Sequence, residues 1–436
     1  MKIAFIVSQF PAVSETFILS QITGLFDRGA EIDILARTEL PQPVEHPAVT
    51  AYGLRGRTRY ADGPPDGRWG PRLKMVGMLG SAPFRVPLNG TSVQRLFRHG
   101  LSDARRTIGF TSSTRQIGSY DVIHCHFGPM GKWGMSLRSM GLLKGRLVTT
   151  FHGYDMCRPF REEGPHVYDR LFEEGDLFLP ISEYWRDRLI AHGCPPEQTF
   201  VHHMGVDCEA FDFRPRAIEP TEPVRILSVS RLAEKKGLEY AIRAVAAVIK
   251  DLERDGSGIG PGTSGIEYTV VGSGPRGAEL EQLTHDLGIS ESVQFLGSRP
   301  RNEVADLMGR AHIFLAPSVT AEDGNKEGIP VALMEAMATG LPVVSSEHSG
   351  IPELVENGVT GLLAEERDVD GLEDRIHRLV ADPTLYRRLA EAGRRRVETE
   401  FNTERLNDQL LGFFETLTAG EASGPSPGPP GATRTS

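Results

Sequence analysis

Glu327 and Glu335 stand eight positions apart, and the Gly328-Ile329-Pro330 turn between them leads into a helix-forming run from Val331 to Thr339. This spacing predicts one carboxylate on a loop just ahead of a helix and a second within its first turns. Backbone N–H groups at a helix start lack intrahelical partners and attract a phosphate or a developing anion. An ionised carboxylate only accepts hydrogen bonds, so it suits a hydroxyl-rich partner. A loop offering both fits a ligand that is anionic at one end and polyhydroxylated at the other, such as a nucleotide sugar.

A second cluster is Ser230-Arg231-Leu232-Ala233-Glu234-Lys235-Lys236-Gly237. Arg231 offers a planar fork for phosphate oxygens, and Lys236 a mobile point charge at a helix entrance. The plain alternative is a solvated basic turn. Gly272-Ser273-Gly274-Pro275-Arg276-Gly277 matches GxGxxG between a strand and a helix. It is not on the first strand of its domain, and the next strand ends at Leu296-Gly297 without an acidic residue for a ribose. It reads as a tight turn that lets a nucleotide lie near the backbone.

His152 follows the run Val148-Thr149-Thr150-Phe151 on a strand-end loop. It reads as an active-site hydrogen-bond donor, against the plainer reading of a turn cap. His124-Cys125-His126 supplies at most two metal ligands from alternate residues of one strand, with no third partner, so no metal site is expected. His202-His203 reads as structural, and Met334, Met337 and Ala338 as a core stripe.

These residues need a scaffold. Strands are expected at Lys2–Val7, Glu31–Ala36, Asp121–His126, Arg146–Phe151 and Leu177–Ile181, with helices at Glu15–Arg28, Tyr168–Glu174 and Glu183–Ala191. The alternation restarts after a Pro-rich, acidic stretch, Phe211–Pro223. Strands then fall at Arg225–Val229, Tyr268–Gly272, Val293–Leu296, Ile313–Ala316, Pro342–Ser345 and Gly361–Leu363. The helices between and after them are Gly237–Glu253, Ala278–Leu287, Glu303–Met308, Asp368–Val380, Thr384–Glu400 and Asn402–Thr418. Asp255–Gly265 reads as a flexible insertion and Gly420–Ser436 as a disordered tail. The expected fold is α/β: two doubly wound, Rossmann-like domains, residues 1–210 and 224–400, joined by a linker at 211–223 and followed by a C-terminal helix at 401–419. Ser14-Glu15-Thr16, His124–His126, His152, Arg231–Lys236, Gly272–Gly274 and Glu327 all fall at strand ends, where such sheets bind ligands. One interdomain site would gather them.

The 436 residues carry a formal charge of −10, which argues against a nucleic-acid binder. Four irregularly spaced cysteines without a CxxC suggest a reduced, cytoplasmic setting. The apolar N-terminal run stops at Ser8, too short for a signal sequence, and no apolar stretch is long enough to span a bilayer. Residues 51–118 hold eleven Arg plus Lys74 against Asp62, Asp66 and Asp103, or 12 − 3 = +9 within an acidic chain. That stretch is either a solvated insertion or a surface for anionic lipid at the cytoplasmic membrane face or for a diphosphate-bearing acceptor.

Four motifs in order, Arg231/Lys236, Gly272-Ser273-Gly274-Pro275, Glu327-Gly328-Ile329-Pro330 with Glu335, and Ser346 through Glu353, resemble the retaining glycosyltransferases of family four, which have the GT-B fold. Ser8-Gln9-Phe10-Pro11 with Ser14-Glu15-Thr16-Phe17-Ile18, and the stretch from Ala321 to Gly328, resemble the colanic-acid-type exopolysaccharide branch more narrowly. The resemblance implies that Arg231 and Lys236 hold a donor diphosphate, Glu327 contacts donor-sugar hydroxyls, and Glu335 the ribose. It further implies that the N–H groups of Gly328 and Ile329 support sugar or phosphate, and that His152 lies near the anomeric carbon. The Gly272–Gly274 turn and the Gly297–Arg299 segment, Arg299 included, would line the base pocket. Ser14, Glu15 and Thr16 would face the acceptor, where Phe10-Pro11-Ala12-Val13-Ser14 departs from the family's Gly-Gly loop. The implied reaction is metal-independent transfer, with retention, from a UDP- or GDP-sugar to a glycan acceptor, oligosaccharide or lipid-linked. A nucleotide-sugar epimerase and a non-catalytic sugar-binding protein are the alternative readings.

Overall fold

The computed structural model describes residues 1–12, 16–39, 46–61, 118–214, 216–219, 222–255 and 265–419. Ser14 and Glu15, residues 62–117 of the Arg-rich stretch, 256–264 of the expected insertion, and the tail from 420 lie outside the described residues.

Two parallel six-stranded sheets carry the fold. The first comprises β1 (Lys2–Phe10), β2 (Glu31–Glu39), β3 (Thr58–Tyr60), β4 (Ser119–His126), β5 (Lys144–Phe151) and β6 (Leu177–Pro180). The second comprises β7 (Val224–Val229), β8 (Ile266–Val271), β9 (Val293–Gly297), β10 (Ile313–Ala316), β11 (Val343–Ser346) and β12 (Leu362–Ala364). Their orders, β3-β2-β1-β4-β5-β6 and β12-β11-β10-β7-β8-β9, are the same doubly wound pattern read from opposite edges. The order reverses between β1 and β4 in one sheet and between β7 and β10 in the other, the switch points outside which such sheets generally bind ligands.

The strands are apolar on both faces because helices cover both faces. In β1, Ile3, Phe5 and Val7 enter one core while Ala4 and Ile6 enter another. The first of these cores includes Leu410 and Phe414 of the final helix, Thr403–Ala419. That helix follows the second domain in sequence yet packs on the first. Arg28 fixes it through Asp408 at 2.7 Å and Glu404 at 3.1 Å, and His202 Nε2 meets the Leu406 carbonyl at 2.9 Å. The core on the other face of the first sheet is continuous with the second domain, running from Ile181 and Trp185 through Ile329 to Met334 and Met337.

Elements beyond the sequence expectation include β3, the short helices Pro47–Ala51, Arg158–Glu163 and Ile351–Leu354, and the longer helix Gly128–Ser139. β3 is a three-residue edge strand, too short to show a period. The helix Gly128–Ser139 was masked by its glycines, which are poor helix formers. They are needed for close packing: a Cβ on Gly131 would lie 2.6 Å from Thr149 Oγ1, and one on Gly134 2.6 Å from Cys125 Sγ. The stretch expected as a linker is stitched to the second domain where it is described, with Arg214 N–H donating to the Thr339 carbonyl at 3.3 Å and Arg216 Nε to the Gly309 carbonyl at 2.8 Å.

Candidate active site

The loop after β10 carries Glu327 into a buried position, 6 % exposed. Each carboxylate oxygen meets one ammonium: Lys235 Nζ lies 2.9 Å from Oε1 and Lys236 Nζ 2.9 Å from Oε2. Burial alone would raise this carboxyl's pKa, but Lys236 and then Lys235 more than offset it, holding it at about 2. The group is an ionised acceptor throughout the neutral range.

The backbone of Glu327 is fixed as firmly as its side chain. Its N–H donates to His348 Nε2 at 3.0 Å, and its carbonyl accepts from Ser349 Oγ at 2.7 Å. His348 Nε2 is therefore unprotonated, and Nδ1–H donates to Glu366 Oε1 at 2.6 Å. Glu366 also accepts the N–H of Thr320 at 2.7 Å, and Thr320 Oγ1 accepts from Lys326 Nζ at 2.7 Å. Burial lowers the His348 pKa, in keeping with a neutral ring in this bridge.

Lys235 and Lys236 lie on the turn that links β7 to the helix Leu238–Asp255. Lys236 lines a pocket with Ser230, Ala316 and Pro330, at the carboxyl ends of β7 and β10. Arg231, on the same turn, is exposed, and among the described residues its guanidinium makes no hydrogen bond or ion pair. The turn is zipped to its neighbours. Leu232 N–H donates to the Ser273 carbonyl at 3.0 Å, Arg276 N–H to the Leu232 carbonyl at 3.0 Å, and Gly272 N–H to the Gly297 carbonyl at 2.9 Å. Gly272 has φ +136°, and a Cβ there would sit 1.8 Å from the Ser230 carbonyl oxygen; one on Gly274 would sit 2.4 Å from that of Leu232. These glycines are required by the approach of one protein loop to another. Ser273 Oγ lies 2.9 Å from Ser298 Oγ, which brings the Gly272–Gly274 turn beside the segment Gly297–Arg299. Arg299 is exposed there, 3.5 Å from Glu303.

Glu335 stands in the helix Val331–Ala338, as its spacing predicts. Its nearest ion-pair partner among the described residues is Arg301, at 3.9 Å. Burial raises its pKa and Arg301 offsets that in part. Ile329 is buried and Gly328 meets the first domain: a Cβ on Gly328 would lie 2.4 Å from Ile181 Cδ1 and 3.4 Å from the His152 carbonyl oxygen.

His152 thus comes from the end of β5 to the Glu327 loop. Its N–H donates to Asp155 Oδ1 at 2.9 Å, and Asp155 Oδ2 accepts the Gly128 N–H at 2.8 Å, anchoring the loop to the start of the Gly128–Ser139 helix. Burial pushes the Asp155 carboxyl up to about 6 although several backbone N–H groups oppose it. His152 Nε2 lies 3.1 Å from His126 Nδ1, and the ring packs against Phe17 and Phe127. Burial first, then His124 and His202, lower the His152 pKa to about 3, so the ring is neutral and can offer one N–H but no charge. Thr16 begins the helix Thr16–Asp27 that carries Phe17.

The two domains are also tied by Glu353. Its carboxylate accepts the N–H groups of Glu183 at 2.9 Å and Tyr184 at 3.1 Å, and meets His203 Nε2 at 3.1 Å. His203 is thus an interdomain contact, while His202 holds the final helix. Sequence reading did not single out Lys235, His348, Glu366 or Asp155. The Lys235-Lys236 doublet was a visible signal, as was the His in Ser346–Glu353; Glu366 gave none. Among the described residues, the side chains gathered at metal-ligand spacing are Asp251, Glu373 and His377. Asp251 is about 20 Å along its helix from Leu238 and the pocket. No helix among the described residues is long and apolar enough to cross a membrane, and all four cysteines are free.

Residues 14–210 match the family model described as Glycosyltransferase Family 4, and residues 210–396 that of Glycosyl transferases group 1. The chain is 39% identical to the amylovoran biosynthesis glycosyltransferase AmsK of Erwinia amylovora over 96% of its own length and all of the relative's. It is 38% identical to a putative colanic acid biosynthesis glycosyltransferase, WcaL, of Salmonella typhimurium, over 96% of this chain and 100% of that one. The structure of Anabaena HepE in complex with UDP superposes with a TM-score of 0.67 at 19% identity, covering 95% of this chain and 100% of that one, a likeness of fold. The chain belongs to the GT-B glycosyltransferases of group 1 and family 4, among relatives that build exopolysaccharides.

Proposed function

We propose that this glycosyltransferase moves a hexosyl unit from a UDP- or GDP-sugar to a hydroxyl of a growing exopolysaccharide or cell-surface glycan, lipid-linked or free, with retention at the anomeric carbon. The observation that carries this reading is the Glu327 carboxylate bracketed by Lys235 and Lys236 at the ends of β7 and β10, with an unengaged Arg231 on the same turn. A cationic pair beside a charged acceptor suits a ligand with a diphosphate at one end and hydroxyls at the other. The relatives' names, exopolysaccharide glycosyltransferases, agree with it, as does the UDP held by HepE.

In this reading the acceptor oxygen forms a bond to the anomeric carbon on the face from which the diphosphate leaves. The bond from that carbon to the phosphate oxygen breaks, and the departing phosphate takes the acceptor proton. Charge builds on the diphosphate, so Arg231, Lys236 and the N–H groups of Gly328 and Ile329 favour the transition state over the ground state. These donors neutralise the leaving group without a metal ion. Glu327 receives hydrogen bonds from donor-sugar hydroxyls, Glu335 from the ribose, and neutral His152 donates to the reacting sugar. Gly272, Gly274 and Arg299 border the base, and Thr16 faces the acceptor. Closure of the domains limits hydrolysis. The basic stretch 51–118 would bring the protein to an anionic membrane face where a lipid-linked acceptor resides.

A thermal-shift panel of UDP- and GDP-sugars tests the donor, followed by NMR of the product's anomeric configuration. Stabilisation by one donor and an unchanged anomer are expected. A panel with no response would remove the nucleotide-sugar reading, and an inverted anomer the retaining one. Flotation with anionic vesicles at low salt tests the membrane contact, and a protein left at the bottom of the gradient would remove it.

A further inference from the structure

The pocket end of the second domain holds one more cation than its charge requires. Glu327 has two carboxylate oxygens and two ammonium partners, both at 2.9 Å. A diphosphate arriving in the pocket competes for an ammonium, and only one can leave without stranding a buried carboxylate, which is costly.

The two lysines are not equivalent. Lys236 lines the pocket with Ser230, Ala316 and Pro330. Lys235 is absent from that lining and is held from another side. Its carbonyl accepts the Val319 N–H at 2.9 Å, and its Nζ lies 3.4 Å from the Lys326 carbonyl oxygen. Lys236 is placed to follow a phosphate, and Lys235 to stay.

We propose that Lys235 is a positioning residue that keeps Glu327 ionised and oriented while Lys236 is transferred from Glu327 to the donor diphosphate. The inference rests on the nucleotide-sugar reading above. Without Lys235, the entering diphosphate takes the last cation from Glu327, and the carboxyl must either resist donor entry or bind a proton. A protonated Glu327 has a donor where a sugar hydroxyl needs an acceptor. The other groups around Glu327 do not replace Lys235. Lys326 Nζ is on Thr320 Oγ1, His348 Nε2 is taken by the Glu327 N–H, Glu366 is on His348 Nδ1, and the first domain presents the His152 carbonyl and the Ile181 side chain.

The test is titration calorimetry of UDP and GDP at pH 8, in buffers of differing ionisation enthalpy, on the full chain as parent, K235Q, K235R and K235Q/E327Q. The parent and K235R should bind with no net proton uptake. K235Q should take up a proton on binding, up to one per site, with Kd rising by up to about tenfold per pH unit above pH 7.5. K235Q/E327Q should lose that uptake, which assigns the proton to Glu327. A merely structural role for Lys235 would lower affinity or stability without moving the proton count. Binding by K235Q with the parent's proton count would overturn the inference and leave the nucleotide reading intact. Failure of both nucleotides to bind the parent would remove the nucleotide reading itself. Should K235Q fail to fold, K235M and E327Q keep the comparison open: K235M should repeat the uptake, and E327Q should show none.

Discussion

The ring of His348 accepts the backbone N–H of Glu327 at 3.0 Å and so fixes the loop whose carboxylate the two lysines hold. The contact sets the ring's tautomer, because Nε2 must be bare to accept. Nδ1–H then points at Glu366, which in turn takes the Thr320 N–H at 2.7 Å. A chain of hydrogen bonds thus runs from the loop after β12 through the loop after β11 to the loop after β10.

Replacing His348 with Ala leaves the Glu327 N–H without its partner in a buried site, a penalty of about 1–3 kcal/mol. The loop loses its fixed geometry, so H348A should lower turnover at least tenfold with a smaller change in nucleotide affinity. Gln at 348 offers an acceptor oxygen to the N–H and an amide N–H to Glu366, and should recover part of the loss. Steady-state kinetics on the three proteins, once a donor is known, checks this. Equal turnover of parent and H348A would show that the bridge does not position Glu327.

Arg231 is exposed, and among the described residues its guanidinium has no partner, so the folded protein loses little when the side chain is removed. R231A should melt within about a degree of the parent. Its role in holding a diphosphate would rest on charge-assisted hydrogen bonds worth about 1.5–3 kcal/mol each, or roughly ten- to 150-fold in rate per bond. Transfer by R231A should therefore fall by at least tenfold, while R231K recovers a minor part because an ammonium cannot reproduce the planar fork. Transfer near the parent's rate would count against the donor assignment.

Much of this arrangement is legible in the sequence because its parts are local. The apolar runs of β1, β4 and β7, each ending in a polar or glycine-rich turn, mark strand ends. The Glu327–Glu335 spacing gives the loop-then-helix placement without any long-range information. The partners of those residues were not legible. Nothing adjacent in sequence says that His348, twenty-one residues on, accepts the Glu327 N–H, or that Glu366 sits behind it. The Lys235-Lys236 doublet shows two cations but not that both point at one carboxylate. The glycines of the 272–277 turn show close approach, and only the structure says that the approaching group is the Ser230–Leu232 backbone. The helix Gly128–Ser139 was obscured because the same glycines that permit its packing lower its helix propensity.

Buried neutral histidines make the fold acid-sensitive. Burial is the leading cause that lowers His152 to about 3, His202 to about 4 and His312 to about 4. A histidine whose folded pKa lies below its unfolded value near 6.5 contributes stability that is fully present above pH 6.5 and is lost as the pH falls toward the folded value. For the fully buried His202 the slope approaches about 1.4 kcal/mol per pH unit, less for the part-buried His152, and Asp155, held up at about 6, opposes one of them between pH 6 and about 4. Glu327, held down at about 2, adds its own loss only as the pH drops below about 4.3. Urea midpoints at pH 7.5, 6.0 and 5.0 should therefore decline, and H202N should show a shallower decline than the parent. Constant midpoints across that range would mean that these rings remain accessible to protons in the fold.

Glu353 belongs to the second domain, yet its carboxylate accepts the first two N–H groups of a helix in the first domain, Glu183 at 2.9 Å and Tyr184 at 3.1 Å. Ser182 Oγ takes the next, that of Trp185, at 3.2 Å, so the helix start is capped from both domains. A carboxylate at a helix N-terminus is favoured by the helix dipole as well as by the hydrogen bonds. Burial would raise its pKa, but His203 and the two N–H groups outweigh that and lower it, so the tie persists through the neutral range. Gln at this position keeps the shape but puts an amide N–H2 where one of two N–H donors must be met. E353Q and E353A should both loosen the contact between the domains, with a larger radius of gyration in small-angle scattering of the ligand-free protein. Turnover should fall as well, because the Glu327 loop reaches His152 and Ile181 only when the domains are held together. A radius of gyration equal to the parent's in both variants would mean that the shared apolar core through Ile181, Ile329 and Met334 holds the domains without this carboxylate.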